Sequence, residues 1–170
     1  MGLGSDISLR PAVPDDNAAI AALLTAAFPD ASEAQLVEKL RATGGLAIEC
    51  VAVRLQDGVR DIIGHIGFSR HVAPTGWLCL APLSVAVGCR RQGIGAALVR
   101  SGLEAARAQG AAAVSVLGDV AFYQRFGFTR VAAANLSSPY PADHTLLYPI
   151  ARDTAGVSTC LVYDAAFDGV

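Results

Sequence analysis

Between Trp77 and Leu117 the chain passes through an apolar run, a glycine-bearing turn, an amphipathic stretch and a second apolar run. Trp77–Val87 reads as a buried strand. A helix then runs from about Ile94 to Gln109, with Gly110 where a left-handed C-terminal cap is favoured, and Ala112–Leu117 reads as another buried strand. Two strands joined through a helix lie parallel, because a parallel pair needs a crossover that a tight turn cannot supply. This unit therefore predicts an α/β sheet with a helix packed on its face.

The flanking sequence extends that sheet. Ile7–Leu9 reads as a short edge strand stopped by Pro11 and Pro14, with Asp15 and Asp16 in the favoured first turn of a helix. Ile20, Leu23, Leu24, Ala27 and Phe28 then form one apolar stripe at helical spacing. Ser32-Glu33-Ala34-Gln35 has the capping-box pattern and opens a second helix, with Leu36, Val37 and Leu40 facing inward and Gly44-Gly45 at its end. Leu46–Leu55 and Ile62–Arg70 are strand-like runs joined at Gln56-Asp57-Gly58, a hairpin signal. Beyond the central unit, Ala121–Phe126 reads as a short helix, Thr129–Ala133 as a strand and Asn135–His144 as a loop. Leu146–Ile150 and Val157–Tyr163 read as a closing pair of strands. The expected architecture is a mixed, twisted sheet of six or seven strands with helices on both faces, with residues 1–170 as a single domain.

Composition narrows the function. Hydrophobic residues make up 53% and charged residues 16%, which argues against disorder. The net charge is −2 and the cations are scattered, so the clustered phosphate-neutralising footprint of a nucleic-acid binder is missing. The weakly polar run from Trp77 to Cys89 contains Pro82 and Ser84 and falls short of the roughly 20 apolar residues of a membrane helix. No basic segment followed by an apolar core opens the chain, so a cytoplasmic location is expected. Cys50, Cys79, Cys89 and Cys160 show no Cys-x-x-Cys spacing, and no metal is expected.

The chemistry is concentrated at the central turn, Val87-Gly88-Cys89-Arg90-Arg91-Gln92-Gly93-Ile94-Gly95-Ala96. Here a strand feeds almost directly into a helix. Gly93 and Gly95 remove side chains where a ligand could approach the backbone. The unpaired amides of a helix's first turn, carrying partial positive charge, favour an anion, and Arg90 and Arg91 add cationic donors. A lone Gly-x-Gly before a helix also suits plain close packing. The dinucleotide fingerprint is excluded, since its third glycine falls at Leu98, and no Gly-Lys-Ser/Thr of a Walker loop is present.

One helix and one strand further on lies Phe122-Tyr123-Gln124-Arg125-Phe126-Gly127-Phe128. The Arg-x-x-Gly-x-Gly/Ala loop and the Phe-Tyr-x-x-x-Gly-Phe segment together closely resemble the GNAT superfamily of N-acetyltransferases. Arg10-Pro11-Ala12, Leu36-Val37-Glu38-Lys39-Leu40-Arg41, Gly64-His65-Ile66 and Tyr163-Asp164-Ala165-Ala166-Phe167 look like its small bacterial branch, so the likeness covers nearly the whole chain. The resemblance implies acetyl-CoA as co-substrate and transfer to a primary amine, on a small molecule or a peptide, by direct attack in a ternary complex. It implies a V-shaped slot where strands four and five splay apart. Leu83, Ser84 and Val85 would meet the pantetheine arm and the thioester, with the Val85 amide as oxyanion donor. The amides of Arg91, Gln92, Gly93, Ile94, Gly95 and Ala96 would hold the pyrophosphate, with Arg90 at the first motif position. Tyr123 would protonate the departing thiolate. The acceptor would contact Phe28–Glu38 and Asn135–His144, where Asp30, Glu33, Tyr140, Asp143 and His144 could suit a cationic amine. A homodimer is compatible with this reading.

The sequence departs from the pattern in places. The fourth strand, Leu78–Ser84, carries no carboxylate or histidine to act as base, so water alone or a neighbour must take the amine proton. His65 is the nearest candidate, with Glu49 behind it as a solvated hairpin carboxylate. Gly118-Asp119 stands where an Asn near the pantetheine is common, Val87 where a proline is, and Cys89 where an aromatic is. The missing base leaves open a module of the same fold that binds acyl-CoA without transfer. Another acyl group or a hydroxyl acceptor also remains open.

Overall fold

The computed structural model describes residues 2–170. Six strands form one sheet in the order β1-β2-β3-β4-β5-β7: β1 Ile7–Pro11, β2 Leu46–Gln56, β3 Val59–Arg70, β4 Trp77–Val85, β5 Ala113–Leu117 and β7 Thr145–Pro149. Within this sheet only β4 and β5 run parallel. The connection between them is α3, Ile94–Ala108, whose C-terminal end is followed by Gly110 at φ +79°. The β2–β3 turn has Asp57 and Gly58 both at positive φ, the geometry of a tight hairpin.

The helices cover opposite faces because the strands are apolar on both. On one face α3 lays Ile94, Leu98, Val99 and Leu103 against Cys50, Ala52, Ile66 and Phe68. Contact there is close: a Cβ at Gly102 would lie 2.2 Å from the Phe68 ring, so only glycine lets α3 sit this near β3. On the other face α1, Asn17–Ala27, and α2, Ser32–Thr43, pack Ile20, Leu24 and Val37 over Val51 and Val53. Each of these fully buried aliphatic side chains contributes about 1.5–3 kcal/mol by leaving water. Among the described residues no helix is long and apolar enough to cross a membrane.

Local details differ from the pattern-based reading. Asp16 binds Arg10 through two hydrogen bonds of 2.7 and 2.9 Å and accepts the Val13 amide, so it ties β1 to α1. Ser32 is the first residue of α2 rather than its cap, and Asp30 accepts its amide at 2.8 Å. β4 ends at Val85, two residues before the expected limit. Thr129–Ala133 is not a strand. Thr129 makes one bridge to Leu147, and its hydroxyl then accepts the Ala132 amide and turns the chain away. That bridge occupies the outer edge of β7, so Val157–Tyr163 cannot close the sheet. Only Thr159–Cys160 (β8) is a strand, and it pairs with Leu136–Ser137 (β6) inside the expected loop.

Behind the β4–β5 pair, His71 is buried with Nε2 2.7 Å from the Ser115 hydroxyl. Burial pushes its pKa down to about 4. Folded and unfolded chains therefore hold different numbers of protons between about pH 6.5 and pH 4, the unfolded chain holding more. Stability drains as pH falls through that window, by on the order of 3 kcal/mol in full. Denaturant unfolding at pH 7.5 and pH 5 should show a little more than half of this loss, and His71→Asn should flatten the dependence. An unchanged slope in the variant would mean that another group carries it.

Candidate active site

The parallel ladder between β4 and β5 is short. It runs from Trp77↔Ala113 to Leu80↔Val116 and stops. β4 continues along β3 through His65↔Ser84 and Gly64↔Val85, while β5 ends at Leu117 and the chain turns at Gly118. From Ala81 to Val85, then, β4 has a strand on one side only. The Ala86 amide donates to Ile63 of β3 at 2.8 Å, so by strand alternation the Val85 amide points the other way, toward the side β5 has left. The Val85 carbonyl is held by Arg90 Nε at 3.2 Å.

Gly118 allows the far wall to form. A Cβ there would lie 2.8 Å from the Tyr123 ring, so glycine lets Tyr123 lie across the end of β5. The short helix α4, Val120–Gln124, is capped by the Asp119 carboxylate, which accepts the Phe122 amide at 3.2 Å. Tyr123 is wedged edge-on between Phe122 and Phe128, with ring centroids at 4.9 and 5.6 Å, and is 8% exposed. Its hydroxyl makes no hydrogen bond among the described residues. Burial holds the phenol well above its ordinary range, with a smaller contribution from nearby Cys79 and Asp119.

The third wall is the turn into α3. Arg91 adopts φ +60° and Gly93 φ +81°, a sharp reversal that leaves the helix starting at Ile94. No amide from Arg91 to Ala96 finds an acceptor among the described residues; the first to do so is Ala97, on Gly93 at 3.0 Å. Six consecutive donors at the positive end of a 15-residue helix form an anion cradle. An added side chain at Gly93 would meet nothing within 4 Å, so the left-handed backbone, rather than crowding, calls for glycine there.

These walls enclose a cleft of about 770 Å³. Leu83, Ser84, Val85, Arg90, Arg91, Gly93, Ile94, Gly95, Ala96 and Tyr123 all line it, and Gln92 points its amide back toward Gly88 instead. Ala27, Cys89, Gly118, Asp119, Phe122 and Arg125 line it too without having been singled out as ligand contacts, and Phe28, the first residue of the expected acceptor segment, completes the lining. Of these, Arg125 stood inside the aromatic motif. Its guanidinium lies over the Phe122 ring at 4.8 Å and adds a third cation to Arg90 and Arg91 at the rim. Cys89 is buried, with Arg54 Nη1 3.5 Å from its sulfur. A second cavity of about 340 Å³ meets the cleft at Phe28, Leu83 and Tyr123.

His65 does not line the cleft. It is fully buried one ladder position behind Ser84, whose Cβ is about 5 Å away in such a cross-strand pair. Its Nε2 lies 2.8 Å from Glu49 Oε1. Glu49, read from the sequence as a solvated hairpin carboxylate, is instead clamped between His65 and the Arg41 guanidinium, which reaches both oxygens. Burial pushes the Glu49 carboxyl up, and the hydrogen bonds from His65 and Arg41 outweigh it, so its pKa lies below the ordinary value. His65 Nδ1 and Ser84 Oγ are both buried without a hydrogen bond among the described residues.

Residues 17–128 match the model of the acetyltransferase (GNAT) family. The uncharacterised N-acetyltransferase YhbS of Escherichia coli K12 is 36% identical over 160 residues, 91% of this chain and 93% of YhbS. A crystal structure of E. coli YhbS in complex with CoA superposes with a TM-score of 0.87 at 34% identity, covering 99% of this chain and 94% of that one. A GNAT-family acetyltransferase from Brucella melitensis in complex with acetyl-CoA gives 0.80 at 30% identity, covering 95% and 98%. The slot, the helix-terminal cradle and these relationships agree: the chain belongs to the GNAT family of acetyltransferases, which take their acetyl group from acetyl-CoA.

Proposed function

We propose that the protein moves the acetyl group of acetyl-CoA to a primary amine by direct attack in a ternary complex. The observation that carries this reading is Tyr123, which stands where the anion-cradling cleft and the second cavity meet. A thioester reaching that point from one side lies within reach of an amine arriving from the other. Holding both together supplies much of the rate through proximity alone.

The pyrophosphate takes the Arg91–Ala96 amides, with Arg90, Arg91 and Arg125 around it, and the pantetheine arm runs along Leu83–Val85 in place of a strand. The amine nitrogen bonds to the thioester carbon, and the carbonyl oxygen becomes an oxyanion stabilised by the Val85 amide. As the intermediate collapses, the C–S bond breaks and the sulfur takes a proton, giving CoA thiol and the N-acetylated amine. Tyr123 is the donor for that sulfur. Because burial keeps its phenol protonated throughout the working pH range, it always offers a hydrogen. A thiol is the stronger acid, at about 8.5 for free cysteine, so hydrogen bonding to the forming thiolate stabilises it before any full transfer.

The amine proton leaves on the opposite side, through water and the Ser84 hydroxyl to His65. A neutral His65 that donates Nε2–H to Glu49 carries its lone pair on Nδ1, the ring atom without a partner. The imidazolium formed there is stabilised by the Glu49 carboxylate.

Tyr123→Phe removes only the hydroxyl, so folding and CoA affinity should be nearly unchanged while turnover falls by about 10²-fold or more. Wild-type turnover in the variant, with chemistry rate-limiting, would reduce Tyr123 to a packing residue. His65→Gln should flatten the acidic limb of the pH–rate profile; an unaltered limb would remove His65 from the proton path.

A further inference from the structure

The second cavity has a composition that selects among amines. Its outer wall is a chain of rings: Tyr140 meets Tyr163 edge-on at 4.9 Å and 88°, and Tyr163 meets Phe167 at 5.2 Å and 62°. Phe28, Leu83 and Tyr123 form the inner end, where the cavity opens into the cleft. Among the described residues Glu33 is the only charged side chain in the lining, and none of them places a lysine, arginine or histidine there. Of the polar residues in the two segments expected to touch an acceptor, Glu33 and Tyr140 line the cavity and Asp30, Asp143 and His144 do not. Burial raises the Tyr140 phenol and pushes Tyr163 up to about 12, so both rings stay uncharged at neutral pH.

We propose that this cavity holds the acceptor and selects a small primary monoamine on an apolar, ring-sized body that carries no carboxylate or phosphate; this rests on the amine-transfer reading above. Three physical constraints lead there. The volume lies at the lower end for small-molecule pockets, enough for one ring and a short arm. An alkylamine arrives as an ammonium ion, which one carboxylate and the faces of neutral rings attract. A second ammonium would have no partner, and an acceptor carboxylate or phosphate would be buried near Glu33 with no cation to meet it. The same apolar lining then disfavours the charged form once the amine is enclosed, which lowers its pKa toward the neutral state that can attack. Glu33 thus guides the cation in, and the rings hold its body with the nitrogen toward Tyr123.

The test uses the purified chain, acetyl-CoA and three amines with mass-spectrometric product detection: 2-phenylethylamine, phenylalanine (the same ring and arm with a carboxylate) and putrescine (a diamine without a ring). We expect kcat/KM for 2-phenylethylamine to exceed that for either of the others by about 100-fold or more. Tyr140→Ala should raise its KM about tenfold with little change in kcat, because ring contacts are lost equally from substrate and transition state. Glu33→Gln should raise KM for 2-phenylethylamine while narrowing the gap to phenylalanine. Thermal melts of both variants check that they fold. Product formation with phenylalanine or putrescine preferred, or a KM indifferent to both substitutions in folded protein, overturns the acceptor class alone. No acetylated product from any of the three, in protein that binds CoA by calorimetry, overturns the amine-transfer reading with it.

Discussion

The parallel pairing of β4 and β5 ends after Leu80↔Val116, and the site depends on that early end. A sheet normally satisfies its backbone by pairing, and an unpaired stretch inside a protein is costly unless something else meets it. Here β4 continues for five residues with β3 on one side and open space on the other. The Val85 amide and the Leu83 backbone face that space. A ligand that can take a strand's place, with an amide-bearing arm, completes the sheet. The helix that follows starts close by, so its unpaired amides face the same cleft. One interruption in pairing thus yields a hydrogen-bonding edge and an anion cradle.

Everything around the slot holds those two features in place. Gly118 lets Tyr123 cross the end of β5, and Gly102 lets α3 press on Phe68, fixing the height of the helix terminus over the sheet. On the other face, Arg41, Glu49 and His65 link α2, β2 and β3 through partly buried hydrogen bonds. A buried ion pair of this kind adds little net stability, because desolvation offsets attraction. Its value lies in orientation: it holds the His65 ring by Nε2 and leaves Nδ1 without a partner among the described residues. Asp16 and Arg10 form a second, more exposed pair, and Arg41 also acts on Asp16.

Much of this was legible from local pattern. The strand–turn–helix–strand unit shows in apolar runs and glycines, and of the cofactor and catalytic residues named from the sequence all but Gln92 and His65 line the cleft, whereas Ala27, Cys89, Gly118, Asp119, Phe122 and Arg125 line it without having been named as contacts. What local pattern missed depends on contacts distant in sequence. Glu49 follows a hairpin pattern that suggests exposure, and only packing of α2 against β2 brings Arg41 onto it. His65 sits beside Ser84 by register, which puts it behind the slot wall. Thr129–Ala133 has strand-forming residues, but the Thr129 hydroxyl captures the Ala132 amide and ends the pairing at one bridge. The second cavity joins α1–α2 residues to the chain's last turns, a meeting no motif announces.

The central claim is that the open edge of β4 and the start of α3 together hold the CoA chain. Amide NMR of the 15N-labelled protein, titrated with CoA, tests it residue by residue. The largest shift changes should fall on Arg91–Ala96 and on Leu83 and Val85, with smaller changes around Tyr123 and almost none in the groove between α1 and α2. Saturable binding whose largest shifts lie away from both the β4 edge and the α3 terminus would contradict the account.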